Sequence, residues 1–135
     1  MLLEEYLDIC RARRFNWLGW NCVHFTAGWI EYCEKSRAVL DLYAEDTMTA
    51  RSALRYAASF GGLRNVYTMA LKREALGPLQ ATPGDVVLFE SALPSSAGTL
   101  GICNGVSAVT LHPLGGFSST PMAGASCIWK IKSTD

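Results

Sequence analysis

Histidine is scarce in this sequence: His24 and His112 are the only two among 135 residues. An imidazole is the usual base for a thiol or hydroxyl nucleophile, so chemistry of that kind has just two side chains to draw on. Charge is scarce as well. Charged residues make up 18% of the chain, against the customary quarter or so, and twelve basic side chains cancel twelve acidic ones. That balance leaves no basic footprint for nucleic acid or anionic lipid. Nowhere do eighteen apolar residues follow one another, so no bilayer-spanning helix is expected. The five cysteines, Cys10, Cys22, Cys33, Cys103 and Cys127, form no C-x-x-C pair. Their spacing gives no reason to expect zinc or an iron–sulfur cluster, and no cofactor is expected. The start, MLLEEYLDICRARR, mixes charges and lacks the basic opening and apolar run of a signal peptide. Synthesis in a cytoplasm, with reduced thiols, is the expectation.

What the chain does hold is apolar. Half its residues are hydrophobic, and its length suits one domain, 1–135, able to bury roughly two-thirds of its unfolded surface. A neutral, charge-poor surface is poorly soluble by itself. Either the core is compact, or partner subunits cover part of the outside.

Periodicity outlines the elements. Residues 2–13 place Leu2, Leu3, Tyr6, Leu7, Ile9 and Cys10 near helical spacing. A second helix is expected from Cys22, with Asn21 as its cap and Phe25, Trp29, Ile30 and Cys33 recurring along it. A third is expected over 49–60, ended by Gly61-Gly62, and a fourth over 63–76. Beyond the Pro83-Gly84-Asp85 turn the character changes to the β-rich VVLF and short apolar runs punctuated by Gly, Ser and Pro. GGFSSTPMAGAS reads as a loop, most simply a connection or a partner-binding one, before a last strand, CIWKIK. Helices first and strands after indicate an α+β domain.

GTLGICNGVSAVTLHP contains the strongest local signal. Asn104-Gly105 between two β-like runs is the preferred pair for a two-residue type I′ hairpin. That turn predicts Cys103 opposite Val106, Gly101 opposite Ala108 and Thr99 opposite Thr110. His112 then shares a sheet face with Thr99 as its diagonal neighbour, whereas a slip of one residue would reverse its face.

FNWLGWNCVHF, TPGDVVLF, TLGIC and TLHP, in that order, resemble the blocks of the NlpC-type cell-wall peptidases, a compact papain-like family. The likeness is to the small NlpC-like proteins encoded among phage tail genes, and it spans Phe15 to about His112. Phe15, Trp17, Gly19, Asn21, Cys22 and Phe25 stand at matching places of the nucleophile block. The resemblance implies a papain-like single domain with helices packed on a small antiparallel sheet. It also implies Cys22 as nucleophile and His112 as the residue that orients the base. At the family's catalytic histidine position stands Thr99, whose hydroxyl has far too high a pKa to take a proton from a thiol near neutrality.

His24 does not fill that gap. Two residues beyond Cys22 on a helix, it points about 200° away around the axis. His112 is the only imidazole with a route to the thiol. At a helix N-terminus, Cys22 is chemically suggestive because the dipole lowers a thiol pKa, yet a buried free cysteine also serves as a small hydrophobe. Trp17, Trp20 and Trp29 read as core aromatics, with Trp20 a candidate interface residue beside His24. Two functions are therefore expected as alternatives. One is an assembly component of a phage or prophage tail tip on a decayed papain-like fold, made in the host cytoplasm, carried in the virion and partnered by other tail proteins. The other is a thiol peptidase acting on peptidoglycan stem peptides, with Cys22 as nucleophile and His112 as base.

Overall fold

The computed structural model describes residues 2–11, 22–39, 62–90, 98–112 and 116–132. Within them lie helices α1 (Leu2–Cys10), α2 (Cys22–Glu34) and α3 (Leu63–Leu71). Strands β1 (Val86–Phe89), β2 (Thr99–Cys103), β3 (Ser107–Leu111), β4 (Phe117–Pro121) and β5 (Cys127–Trp129) follow. The domain is α+β, helices packed on one five-stranded antiparallel sheet. The helix expected over 49–60, the cap Asn21, Trp17 and Trp20 lie outside the described residues.

Helix α1 buries Leu3, Tyr6 and Cys10, a stripe at i, i+3 and i+7, and leaves Ile9 64% exposed because it falls off that stripe. Helix α2 is covered around most of its girth: Val23, Phe25, Thr26, Ala27, Trp29, Ile30 and Cys33 are all buried. The two helices come close at Gly28, where a Cβ would meet the Tyr6 hydroxyl. That closeness lets Tyr6 donate to the Phe25 carbonyl at 2.6 Å and pack its ring on Phe25, Trp29 and Tyr32. Helix α3 is shorter than the 63–76 expected from periodicity. It stops at Leu71 because Lys72 turns into the left-handed region, φ 54°, a helix-ending conformation.

The turn before β1 is type II: Pro83 precedes Gly84 at φ 96°, and the Asp85 amide donates to the Thr82 carbonyl at 3.1 Å. The sheet order is β4-β3-β2-β1-β5, a meander whose last strand returns to the far side of β1. Strand β1 is central and covered on both faces, which is why VVLF is apolar without alternation.

The β2–β3 hairpin is a two-residue turn, but its centre is Gly105-Val106 rather than Asn104-Gly105. Cys103 pairs with Ala108, Ile102 with Val109 and Gly101 with Thr110. A type I′ turn needs positive φ at both central residues; here Gly105 alone has it, at 112°, as a type II′ turn requires. Asn104 serves beside the turn instead. Its side-chain oxygen accepts the amides of Val106 at 3.2 Å and Ser107 at 3.0 Å. The partner of each β2 residue is displaced by two along β3, an even number, so every side chain keeps its expected face. The pairing ends at Gly101 and Thr110, so Thr99 and His112 are not cross-strand partners.

FSSTP is a strand, β4, where a loop was expected. Hydroxyl pairs across β3–β4 support it, Ser107 with Ser119 at 2.7 Å and Thr110 with Thr120 at 3.3 Å, while Phe117 stacks on Phe25 of α2. One sheet face, with Val86, Leu88, Leu100, Ile102, Val109, Cys127 and Trp129, packs on the helices. The other, with Val87, Cys103, Ala108 and Ile128, is covered by Leu76, Ala81, Met122 and Ala125. No described helix is long and apolar enough to cross a membrane.

Gly101 is where the meander packs tightest. A Cβ there would lie 2.7 Å from the Val109 carbonyl oxygen and 2.8 Å from Thr110 Cγ2. Backbone cannot yield as a side-chain tip can, so Gly101→Ala should destabilise the fold by about 1–3 kcal/mol. Urea unfolding of the variant beside the parent measures this, and an unchanged midpoint would contradict the packing described.

Candidate site at the first turn of α2

Cys22 is the first residue of α2, and buried hydroxyls fasten the turn it begins. Thr26, one turn on, donates to the Cys22 carbonyl at 3.0 Å. The Tyr67 hydroxyl of α3 meets Thr26 Oγ1 at 2.5 Å and lies 3.3 Å from the Val23 carbonyl. With its own proton engaged by Cys22, the Thr26 hydroxyl accepts from Tyr67. Threonine bonding back four residues is a known local option inside helices, here held in place from a second helix.

The Cys22 sulfur sits where β2 and β3 part. Their pairing ends at Gly101 and Thr110, and the next amide along β2, that of Leu100, is directed at the sulfur. Burial is the largest influence on the thiol and pushes its pKa up; the amides of Leu100, Cys22 and Val23 pull down and lose. A helix N-terminus ordinarily favours a thiolate, but desolvation disfavours the charged form more strongly here. The side chain is therefore a protonated thiol at neutral pH. No imidazole is among the groups that shift it.

Thr99 is the first residue of β2, beside Leu100, and is exposed. It pairs with Phe89, and alternation along β2 gives it the face of Gly101 and Cys103. His112 follows β3, is half-buried, and donates its amide to the Gly116 carbonyl at 3.0 Å. By the same alternation it shares the face of Ala108 and Thr110, opposite the face that α2 covers. Thr99 and His112 thus lie beyond the last β2–β3 pair, on the sheet face that α2 does not cover. His24 is half-buried on α2, two residues from Cys22 and so well around the helix from it. Thr26, Tyr67 and the Leu100 amide were not expected at this site. Only Thr26 carries a local signal, its i+4 spacing from Cys22.

The other four cysteines are buried. Among the described residues no three of His, Cys, Asp and Glu gather as metal ligands do. No curated protein and no solved structure matches the chain. A family model does match, over residues 1–131, so the chain belongs to the family described as domain of unknown function DUF6950.

Proposed function

We propose that the chain is an assembly component of a bacteriophage or prophage tail tip, built on a papain-like fold of the NlpC type whose catalytic set has decayed. The observation that carries this is the state of Cys22. It begins α2 against the strand that bears residue 99, where burial pushes its thiol pKa up, and residue 99 is threonine. Hydrolysis by a thiol needs a base within about 2.6–3.2 Å of it, and Thr99 cannot be one. The charge-poor composition suits a chain packed among other tail proteins in the virion.

A second reading rests on one feature, the position of His112 just past the last β2–β3 pair, near where the Leu100 amide meets the Cys22 sulfur. In it, His112 takes the Cys22 proton and the thiolate attacks a carbonyl carbon of a peptidoglycan stem peptide. Incubating the purified chain with peptidoglycan sacculi separates the two. The assembly reading expects no soluble stem-peptide fragments, and it expects Cys22→Ala to leave tail assembly intact while Trp20→Ala impairs it. Fragments that appear with the parent chain and vanish with Cys22→Ala would establish the hydrolase instead.

A further inference from the structure

Residues 130–132 leave β5 and run to the C-terminal end of α2, and two carboxylates hold them there. Glu34, the last residue of α2, accepts the Lys132 amide at 2.7 Å. It also accepts the Arg73 guanidinium on both oxygens, at 2.7 and 2.9 Å, and Arg73 donates in addition to the Lys130 carbonyl at 2.6 Å. Asp85, in the turn before β1 and only 2% exposed, accepts the Ile131 amide at 3.2 Å and the Lys130 ammonium at 2.9 Å. Its second oxygen also takes the amide and hydroxyl of Thr82. Segments far apart in sequence thus converge on two negative charges.

We infer that residues 130–132 are a strap latched by charge, held across the ends of α2 and β1 by Glu34 and Asp85 and loosened in acid at its Glu34 catch, no further back than Trp129. An ionised acceptor makes hydrogen bonds about twice as strong as a neutral one, so protonation weakens both the amide contacts and the ion pairs. The described charged groups facing Glu34 are Arg73, from the segment after α3, and Lys132, from the strap itself. Asp85 faces Lys130 of the strap and the Thr82 hydroxyl of its own turn. Among the described residues, the charged groups bonded to the two carboxylates are cations. For Glu34, burial pushes the pKa up, but the hydrogen bonds from Arg73 and the Lys132 amide, with both positive charges, bring it below the usual glutamate range. A carboxylate depressed in the folded state contributes stability above its unfolded pKa and loses it as pH falls through the folded one. The Glu34 contribution accordingly fades as pH falls from the ordinary glutamate range and is lost below it. Loosening stops at Trp129, whose ring is fully buried and whose indole N–H donates to Thr68 at 3.2 Å.

Amide hydrogen exchange read by NMR tests the latch. At pH 7, Glu34→Gln should speed exchange of the Lys132 amide about tenfold or more, and Asp85→Asn should do the same for Ile131. Protection at Leu100 and Ile102 should hold in both. In the parent chain the Lys132 amide resonance should titrate below the usual glutamate range, at pH values where core amides stay protected. Unchanged exchange at Ile131 and Lys132 in the variants, or protection lost there only together with the core, would overturn the latch. If Asp85→Asn does not fold, the Glu34→Gln arm and the parent titration decide.

Discussion

Thr99→His is expected to speed alkylation of Cys22 at pH 7 by at least about tenfold. The reasoning starts from the parent thiol, which burial holds above its ordinary pKa. With an ordinary thiol pKa near 8.5, only a few per cent of a free cysteine is the reactive thiolate at neutrality, and here it is less. Each unit of pKa lowering raises that fraction about tenfold, and an imidazolium partner can lower a thiol by several units. Residue 99 adjoins Leu100, whose amide already addresses the sulfur, but alternation gives it the sheet face away from α2, so the imidazole acts on the thiol only by turning round the open start of β2. The readout is clean because Cys10, Cys33, Cys103 and Cys127 are all buried. Rates with iodoacetamide would be followed across pH by mass spectrometry, with Thr99→Ala and Cys22→Ala as controls. A folded Thr99→His chain that reacts no faster than Thr99→Ala would remove position 99 from the base's role. The papain-like reading of the fork would go with it.

Trp129→Ala should cost about 3–5 kcal/mol, a large share of the 5–15 kcal/mol that holds a typical domain together. Trp129 has no exposed surface. It pairs with Val86 of the central strand, packs its ring 5.3 Å from that of Tyr67, and bonds Thr68. Truncation empties the space between α3 and the sheet, where neighbours on two rigid elements can collapse only partly. It also loosens Tyr67, whose hydroxyl helps fasten the first turn of α2. Trp129→Phe keeps most of the volume and loses chiefly the indole bond, so about 1–2 kcal/mol is expected. Denaturant unfolding of both variants measures the difference. Equal losses would mean that the hydrogen bond, rather than the buried volume, dominates the site.

Those two residues also mark how far the sequence reaches. Helical spacing located the start of α2 at Cys22, and Thr82-Pro83-Gly84-Asp85 announced a turn before β1. Both depend on sterics within a few neighbouring residues, which any chain with those side chains obeys. The same local rules placed Cys22 and His24 on different sides of the helix, and identified threonine as chemically unable to act as base.

Register and closure were decided elsewhere. Asn104-Gly105 signalled a hairpin correctly. Which two residues occupy its centre depended on Val106 avoiding positive φ and on Asn104 capping the turn from its side, and that displacement moved the partner of each paired β2 residue two places along β3. FSSTP has the composition of a loop; it became β4 because β3 offered hydroxyl partners and α2 offered Phe25 to Phe117. The fork at Cys22 and the two carboxylates on the strap join residues up to ninety-eight positions apart. Such contacts exist only once packing has brought the segments together and excluded water. The sequence by itself therefore determined the start of α2, the turn before β1 and what chemistry Thr99 cannot do. Tertiary structure alone decided what surrounds the thiol, and burial there pushes the Cys22 pKa up.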